Sequence, residues 1–351
     1  CGTSVTVVDP AGVAAGASGL RAAVVQPRLW RGDEVPDAGV VADAFRWTVG
    51  WLRRERFAEF SPCGVLRVVG DERELDELRA RVDNPATADL VEWVDRETAS
   101  ARFGIPVPFG AGWIADAGWL DVATFVRTLL AHDRIDVRPD VAPAEVDLRV
   151  LATAHAIDAD FLPIEPTRGQ TVAVRWPASA RPRSVLSGAG YATPADAEGL
   201  GWIGSTYDRG DASAAVRDGD DERILSHFAA FAELRVALTD SNVERRFAGV
   251  RATTPDRLPY VGALPSLQRF TARFGAAIRS HAETASPSPN AWEPATLVSL
   301  AHGSRGAVTA PFAGELLAAR AFGEPLPIRP DSRLRIEPAR ALVRSIRRAS
   351  R

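Results

Sequence analysis

The 351-residue sequence contains no lysine, and all 42 of its basic residues are arginine. Against 45 acidic residues this leaves a net charge of −3, which gives no global electrostatic case for nucleic acid. Cysteine is nearly absent. Cys1 and Cys63 cannot build a disulfide framework and suit a reducing compartment. Cys63, between Pro62 and Gly64, reads as a small buried residue rather than a nucleophile. No apolar run reaches the ~20 residues of a membrane-spanning helix. There is no His/Cys/Asp cluster at metal-ligand spacing, so no metal is expected. There is also no G-x-x-x-x-G-K-[S/T] phosphate loop, no G-x-S-x-G nucleophile elbow and no internal repeat. With 46% hydrophobic and 25% charged residues the composition is that of an ordinary globular protein, and the length calls for two domains.

What is present centres on residues 249–262, GVRATTPDRLPYVG. Thr254-Pro255-Asp256 is turn chemistry: proline fixes φ, and short polar side chains bond back to the backbone. Arg251 precedes the turn. A guanidinium held beside a rigid turn can clamp a carboxylate or phosphate through its planar fork of donors. On spacing alone, an exposed loop with an incidental arginine is the preferred reading. A second concentration of arginine lies at 329–351, where eight arginines meet only Asp331 and Glu337. Such a tail could contact RNA phosphates, or form a solvated helix end.

The pattern G-x-R-x-x-T-P-D-x-L-P-x-V-G resembles the signature near the C-terminus of the D-amino-acid-oxidase-like family of FAD-dependent oxidoreductases. Residues 301–317, AHGSRGAVTAPFAGELL, resemble that family's closing loop and helix. Further matches, in the family's order, are Gly16-Ala17-Ser18-Gly19, Pro62-Cys63-Gly64-Val65, Gly118-Trp119-Leu120 and Gly190-Tyr191-Ala192-Thr193-Pro194. Within the family the run is most similar to oxidase modules that act on a modified wobble uridine of tRNA.

The resemblance implies an α/β fold, with a Rossmann-like FAD-binding domain interleaved with a mixed-sheet α+β substrate domain. The first would comprise 1–45, 109–165, 248–265 and 295–325, and the second 46–108 and 166–247. Residues 266–294 would be a polar connection and 326–351 an arginine-rich tail. It implies that Arg251 holds the substrate carboxylate and that Tyr191 overhangs the substrate side of the flavin; the bland reading of Tyr191 is a filled strand edge. Ala17, Ser18 and Gly19 would run past the cofactor. His302, Gly303, Ser304, Arg305 and Gly306 would present N–H groups and a helix N-terminus to its pyrimidine end, although His302 also reads as a satisfied structural histidine.

Residues 4–9 read as a short parallel strand whose final Asp9 suits the adenosine ribose. The preceding strand, G-x-G-x-x-G turn and helix would lie upstream of Cys1, so a truncated chain lacking its pyrophosphate anchor is expected. A lipoprotein beginning at cysteine fits poorly, since an apolar strand follows at once. Helices are expected at 40–60, 72–82, 122–130 and 221–238, and a final helix at 312–322 with Pro311 in its first turn. Residues 146–153 read as a further parallel strand, followed by Ala154-His155 where relatives carry a glycine-containing turn. The 134–145 link is too short for the family's usual three-stranded meander. The expected function is FAD-dependent oxidation of a C–N bond, removing the carboxymethyl arm from a carboxymethylaminomethyl uridine in tRNA. The rivals are a free amino-acid or amine oxidase of glycine-oxidase type, or a truncated remnant unable to hold FAD. The partner would be modified tRNA, with no membrane, in the cytoplasm, as a monomer.

Overall fold

The computed structural model describes residues 2–29, 38–85, 87–140, 145–178, 180–238, 243–280 and 289–349. Cys1, the last two tail positions and parts of the 134–145 and 266–294 links lie outside these. Backbone contacts divide the chain into two compact units, 1–142 with 167–250, and 143–166 with 251–351.

The first unit is built on a nine-stranded mixed sheet. Its central strands are Glu165–Arg175, Leu200–Gly204, Tyr191–Ala192, Val185–Ser187, Val65–Arg67 and Ala111–Ile114, in that spatial order. Side chains alternate between faces along each strand. Leu66, Leu186, Ala192, Ile203 and Val172 therefore lie on one face, where they are buried with Phe103 and Ile224 from helices Arg96–Phe103 and Asp220–Ser226. Each large aliphatic side chain so buried contributes about 1.5–3 kcal/mol. The register Arg67↔Ser187, Ser187↔Tyr191, Tyr191↔Gly204 and Gly204↔Thr171 sets a second row on the other face. Beneath the sheet's end, Arg168 is wholly buried. It donates to Asp220 (2.5 Å) and Gln170 (2.8 Å), while Gln170 donates on to Asp221 (3.2 Å).

The expected first strand is Val5–Val8, paired in parallel with Ile135–Arg138, so the 134–145 link supplies one strand. Helix Val122–Leu130 is capped by Asp121, whose carboxylate accepts from Thr124 N–H at 3.1 Å. Three helices of this unit differ from expectation, and the one expected over 72–82 is a 3-10 turn, Glu72–Glu74, running into helix Leu75–Val82. The one expected over 40–60 is Ala38–Arg54; it stops where Arg56 takes a left-handed φ of 56°. The one expected over 221–238 breaks into Asp220–Ser226 and Ala232–Ala237, and the intervening bend buries both Phe228 and Phe231.

In the second unit, Tyr260–Pro265 pairs antiparallel with Trp292–Leu300, which pairs in parallel with Arg149–Leu151. The expected polar connection contains a helix, Leu267–Arg279. Its Phe270, Phe274 and Ile278, at helical spacing, are buried against Leu342 of helix Ala339–Arg348. Interleaved Arg269, Arg273 and Arg279 mask that stripe in the sequence. The arginine-rich tail forms two helices, Pro330–Ile336 and Ala339–Arg348, with Arg340 buried. The helix expected at 312–322 starts earlier and spans Gly306–Phe322. Pro311 is therefore inside the helix rather than in its first turn, where it removes the bond its own N–H would make and its ring crowds the carbonyl of Ala307. No helix among the described residues is long and apolar enough to cross a membrane.

Candidate functional site

Strand Val243–Thr253 delivers Arg251, half-buried, to the edge of the second unit. The turn that follows is fixed atom by atom. Thr254 Oγ1 donates to Leu258 O at 2.8 Å and lies 2.8 Å from Asp256 Oδ1, which also accepts from Leu258 N–H at 3.1 Å. Arg340, 84 residues on, donates Nε to Asp256 Oδ2 (3.0 Å) and Nη2 to Oδ1 (3.2 Å). Its Nη2 also reaches Leu258 O (2.8 Å), its Nη1 reaches Ile336 O (3.0 Å), and its guanidinium lies 4.0 Å from the Tyr260 ring centroid. Arg344 Nη1 makes a further short ion pair to Asp256. Burial alone would push the Asp256 carboxyl up. The hydrogen bonds and charge of Arg340 outweigh it and hold the group well below the usual carboxylate range. Gly262, at φ 138°, closes the motif where a Cβ would collide with the Glu337 carboxylate.

The antiparallel register Tyr260↔Leu300 and Val261↔Ser299 sets the 302–306 loop beside this turn. The backbone reverses through two left-handed residues, Ala301 (φ 57°) and Gly303 (φ 58°). A Cβ on Gly303 would lie 3.5 Å from Thr253 Cγ2 and 3.9 Å from Ala252 O, so the loop approaches the residues directly after Arg251. Both ring nitrogens of His302 are engaged: Nε2 with Ser299 Oγ (2.9 Å) and Nδ1 with Thr309 Oγ1 (2.8 Å). The Thr309 hydroxyl donates to Arg305 O (3.1 Å), so it accepts from His302, which places the ring proton on Nδ1 and makes Nε2 the acceptor from Ser299. Desolvation lowers the His302 pKa to about 4, leaving it neutral. Helix Gly306–Phe322 starts here with no side-chain cap and no acid in its first turn. Its N-terminal N–H groups and partial positive charge suit an anionic group.

The remaining sequence-derived candidates lie in the first unit. Asp9 ends strand Val5–Val8; its N–H donates to Arg138 O (3.0 Å), and its Oδ1 accepts from Ala11 N–H (3.1 Å). Ala17, Ser18 and Gly19 form a 3-10 turn with Ser18 exposed. A Cβ on Gly19 would sit 2.7 Å from Ala14 O and 3.0 Å from the Phe247 ring. A Cβ on Gly249 would sit 3.1 Å from Ala17 Cα, so the turn packs tightly on the strand that leads to Arg251. Tyr191 lies over Gly204, where a Cβ would come 2.9 Å from its ring. The candidates thus form two sets: Asp9, Ala17, Ser18, Gly19 and Tyr191 in the first unit, and Arg251 with His302–Gly306 in the second. Sequence reasoning missed the Asp256–Arg340–Arg344 lock. Its one local signal was that Arg340 and Arg344 stand four apart, on one helix face. Among the described residues no group of three or more His, Cys, Asp or Glu is placed to hold a metal ion.

These features define a flavoprotein oxidoreductase fold. The family model for FAD-dependent oxidoreductases (DAO) matches residues 1–320, and the chain belongs to that family. Among curated relatives, the tRNA 5-methylaminomethyl-2-thiouridine biosynthesis bifunctional protein MnmC of Chromobacterium violaceum is 30% identical over 322 residues, covering 82% of this chain and 48% of that protein. The MnmC of Pseudomonas paraeruginosa is 30% identical over 386 residues, covering 100% of this chain and 58% of its own length. The chain therefore spans about half the length of the curated relatives it matches. Among solved structures, iminodiacetate oxidase from Chelativorans sp. superposes with a TM-score of 0.70 at 19% identity, covering 93% of this chain and 91% of that one. Glycine oxidase from Geobacillus kaustophilus gives 0.66 at 16% identity, covering 92% and 88%. These two share the fold: an FAD-binding Rossmann-like part with a mixed-sheet substrate part. FAD is the family's cofactor, and each unit taken by itself carries groups that suit a part of it. The uncapped, acid-free N-terminus of Gly306–Phe322 suits the electron-rich pyrimidine end, and Asp9 ends a parallel strand as a ribose-binding carboxylate does.

Proposed function

We propose that this chain is an oxidase for a secondary amine bearing a carboxymethyl arm, and that the amine is the carboxymethylaminomethyl group of a tRNA wobble uridine. The observation that carries this reading is the placement of Arg251. A guanidinium leaves a strand directly before a turn locked by side-chain hydrogen bonds from Thr254, Arg340 and Arg344 to Asp256 and Leu258, and beside a helix N-terminus without a side-chain cap. Such a clamp holds a carboxylate through two parallel bonds and so fixes the adjacent methylene. The related proteins point to the same chemistry. Glycine and iminodiacetate are both N–CH2–carboxylate compounds, and MnmC is named for a methylaminomethyl uridine in tRNA.

FAD, when bound, supplies a two-electron acceptor. The protein's part is to hold the carboxylate at Arg251, to keep His302 neutral, and to set the N-terminal N–H groups of helix Gly306–Phe322 towards negative charge. For Tyr191 the family resemblance implies a place on the substrate side, and for Ala17, Ser18 and Gly19 one along the cofactor. Loss of two electrons and a proton from the N–CH2 bond leaves a C=N bond; water adds to its carbon, and cleavage releases glyoxylate and the primary amine. A tRNA substrate places this work in the cytoplasm. The second reading, oxidation of free glycine-like amines, is favoured by the glycine oxidase fold match. The test is to supply the FAD-loaded protein with tRNA carrying carboxymethylaminomethyl uridine, or with glycine or iminodiacetate, and to measure glyoxylate. Release from tRNA at far lower substrate concentration is expected. Release only from the free amines would replace this reading with the second.

A further inference from the structure

The outer face of the first unit's sheet carries a guanidinium that the proposed reaction does not use. Arg67 is half-buried on strand Val65–Arg67. Its Nη1 donates to Ser187 Oγ (3.1 Å) and Gly188 O (3.3 Å), and Ser187 Oγ also accepts from Gln26 Nε2 (2.8 Å). Among the described residues no carboxylate lies within ion-pair distance of it, and Nε and Nη2 have no acceptor. Those two atoms are the edge of the fork that takes a carboxylate or phosphate side-on. Burial and the Arg81 charge both act against the guanidinium's charged form, and only Glu74, at a distance, favours it.

The position follows from register. Arg67 pairs with Ser187, Ser187 with Tyr191, Tyr191 with Gly204 and Gly204 with Thr171, so all project from the face opposite the main core. At the Arg67 end helix Leu75–Val82 packs on this face, since a Cβ on Gly112, the partner of Arg67, would lie 3.0 Å from Val82 and 3.6 Å from Arg67 Cβ. Thr171 Oγ1, in the same row, is buried with no hydrogen-bond partner. Over Gly204 the row is filled: a Cβ there would come 2.7 Å from Thr171 Cγ2 and 2.9 Å from the Tyr191 ring, so those two side chains pack against the bare backbone. Thr171 is buried four strand spacings away, so what this face offers an anionic ligand is the unpaired edge of the Arg67 guanidinium.

We propose that Arg67 binds an oxyanion, a carboxylate or a phosphate, on this face of the first unit's sheet. Oxyanion binding at Arg67 is independent of the proposed function. The test is calorimetric titration of the purified protein with inorganic phosphate and, separately, with iminodiacetate, comparing wild type with Arg67→Gln. A loss of affinity of about tenfold or more is expected. Loss confined to phosphate assigns a phosphate group, and loss confined to iminodiacetate assigns a carboxylate. Unchanged affinity for both overturns the proposal, whatever the glyoxylate assay shows. Should Arg67→Gln fail to fold, Arg67→Lys replaces it. Lysine cannot reproduce two parallel bonds, so a similar loss is expected and unaltered binding contradicts the inference.

Discussion

Arg340 and Arg67 are both guanidiniums drawn out of water, and they differ in where their donors go. In the second unit Arg340 directs Nε, Nη1 and Nη2 to Asp256, Leu258 and Ile336, and lies on the Tyr260 ring. In the first unit Arg67 engages one nitrogen, with a hydroxyl and a carbonyl, and meets no carboxylate. The first arrangement is complete, and adding a ligand would break it. The second is incomplete, and a ligand would finish it. A family motif can thus mix both kinds of residue: Asp256 of the 249–262 signature holds the fold, while Arg251, five residues earlier, is the part proposed to meet substrate.

The comparison can be broken at its strongest point. Asp256→Ala leaves Arg340 buried without its counter-charge, which should destabilise by about 3–5 kcal/mol. Arg67→Gln removes an already desolvated charge and should shift stability by less than about 1 kcal/mol. Urea denaturation midpoints check both. Comparable losses would erase the distinction between the two arginines.

A smaller effect comes from pH. His302 is held at about 4 against an ordinary 6.5, so between those values the unfolded chain binds the proton and the folded one does not. Stability should therefore be intact above about pH 6.5 and fall as pH drops towards about 4, by at most about 3 kcal/mol. The depressed Asp256 adds a further loss only below about pH 4, where its unfolded counterpart takes up a proton. His302→Gln, which keeps polar contacts without titrating, should flatten the upper part of that slope. A slope unchanged in the variant would assign it to other groups.

How much of this was legible in sequence depends on how local the cause is. The 249–262 and 301–317 runs, the parallel strand at 149–151 and the turn chemistry of Thr254 and Asp256 are local, and all were readable. The partner of Asp256 lies 84 residues away and belongs to a tail that composition describes only as basic. Helix Leu267–Arg279 was hidden because three arginines interrupt its apolar stripe. The row from Arg67 to Thr171 depends on the register of five strands, which no single segment specifies. Ala154 lies between these cases. The sequence shows alanine where relatives have glycine, and the structure finds it at φ 57°. A left-handed alanine costs about 1–2 kcal/mol, and glycine's extra chain entropy offsets part of that. Ala154→Gly should thus raise stability by less than about 1 kcal/mol, the smallest effect expected, and a measurable loss of stability would contradict the strain.

The central claim is that Arg251 clamps the carboxylate of the amine being oxidised. Arg251→Lys retains the charge and loses the planar fork. The direct measurement is the initial rate of glyoxylate release at limiting concentrations of tRNA carrying carboxymethylaminomethyl uridine, with the absorbance of bound FAD recorded alongside. The account predicts a fall of roughly tenfold to hundredfold, from about 1.5–3 kcal/mol of charge-assisted bonding, with the flavin absorbance unaltered. Equal rates in the two proteins would remove Arg251 from the site and the clamp with it.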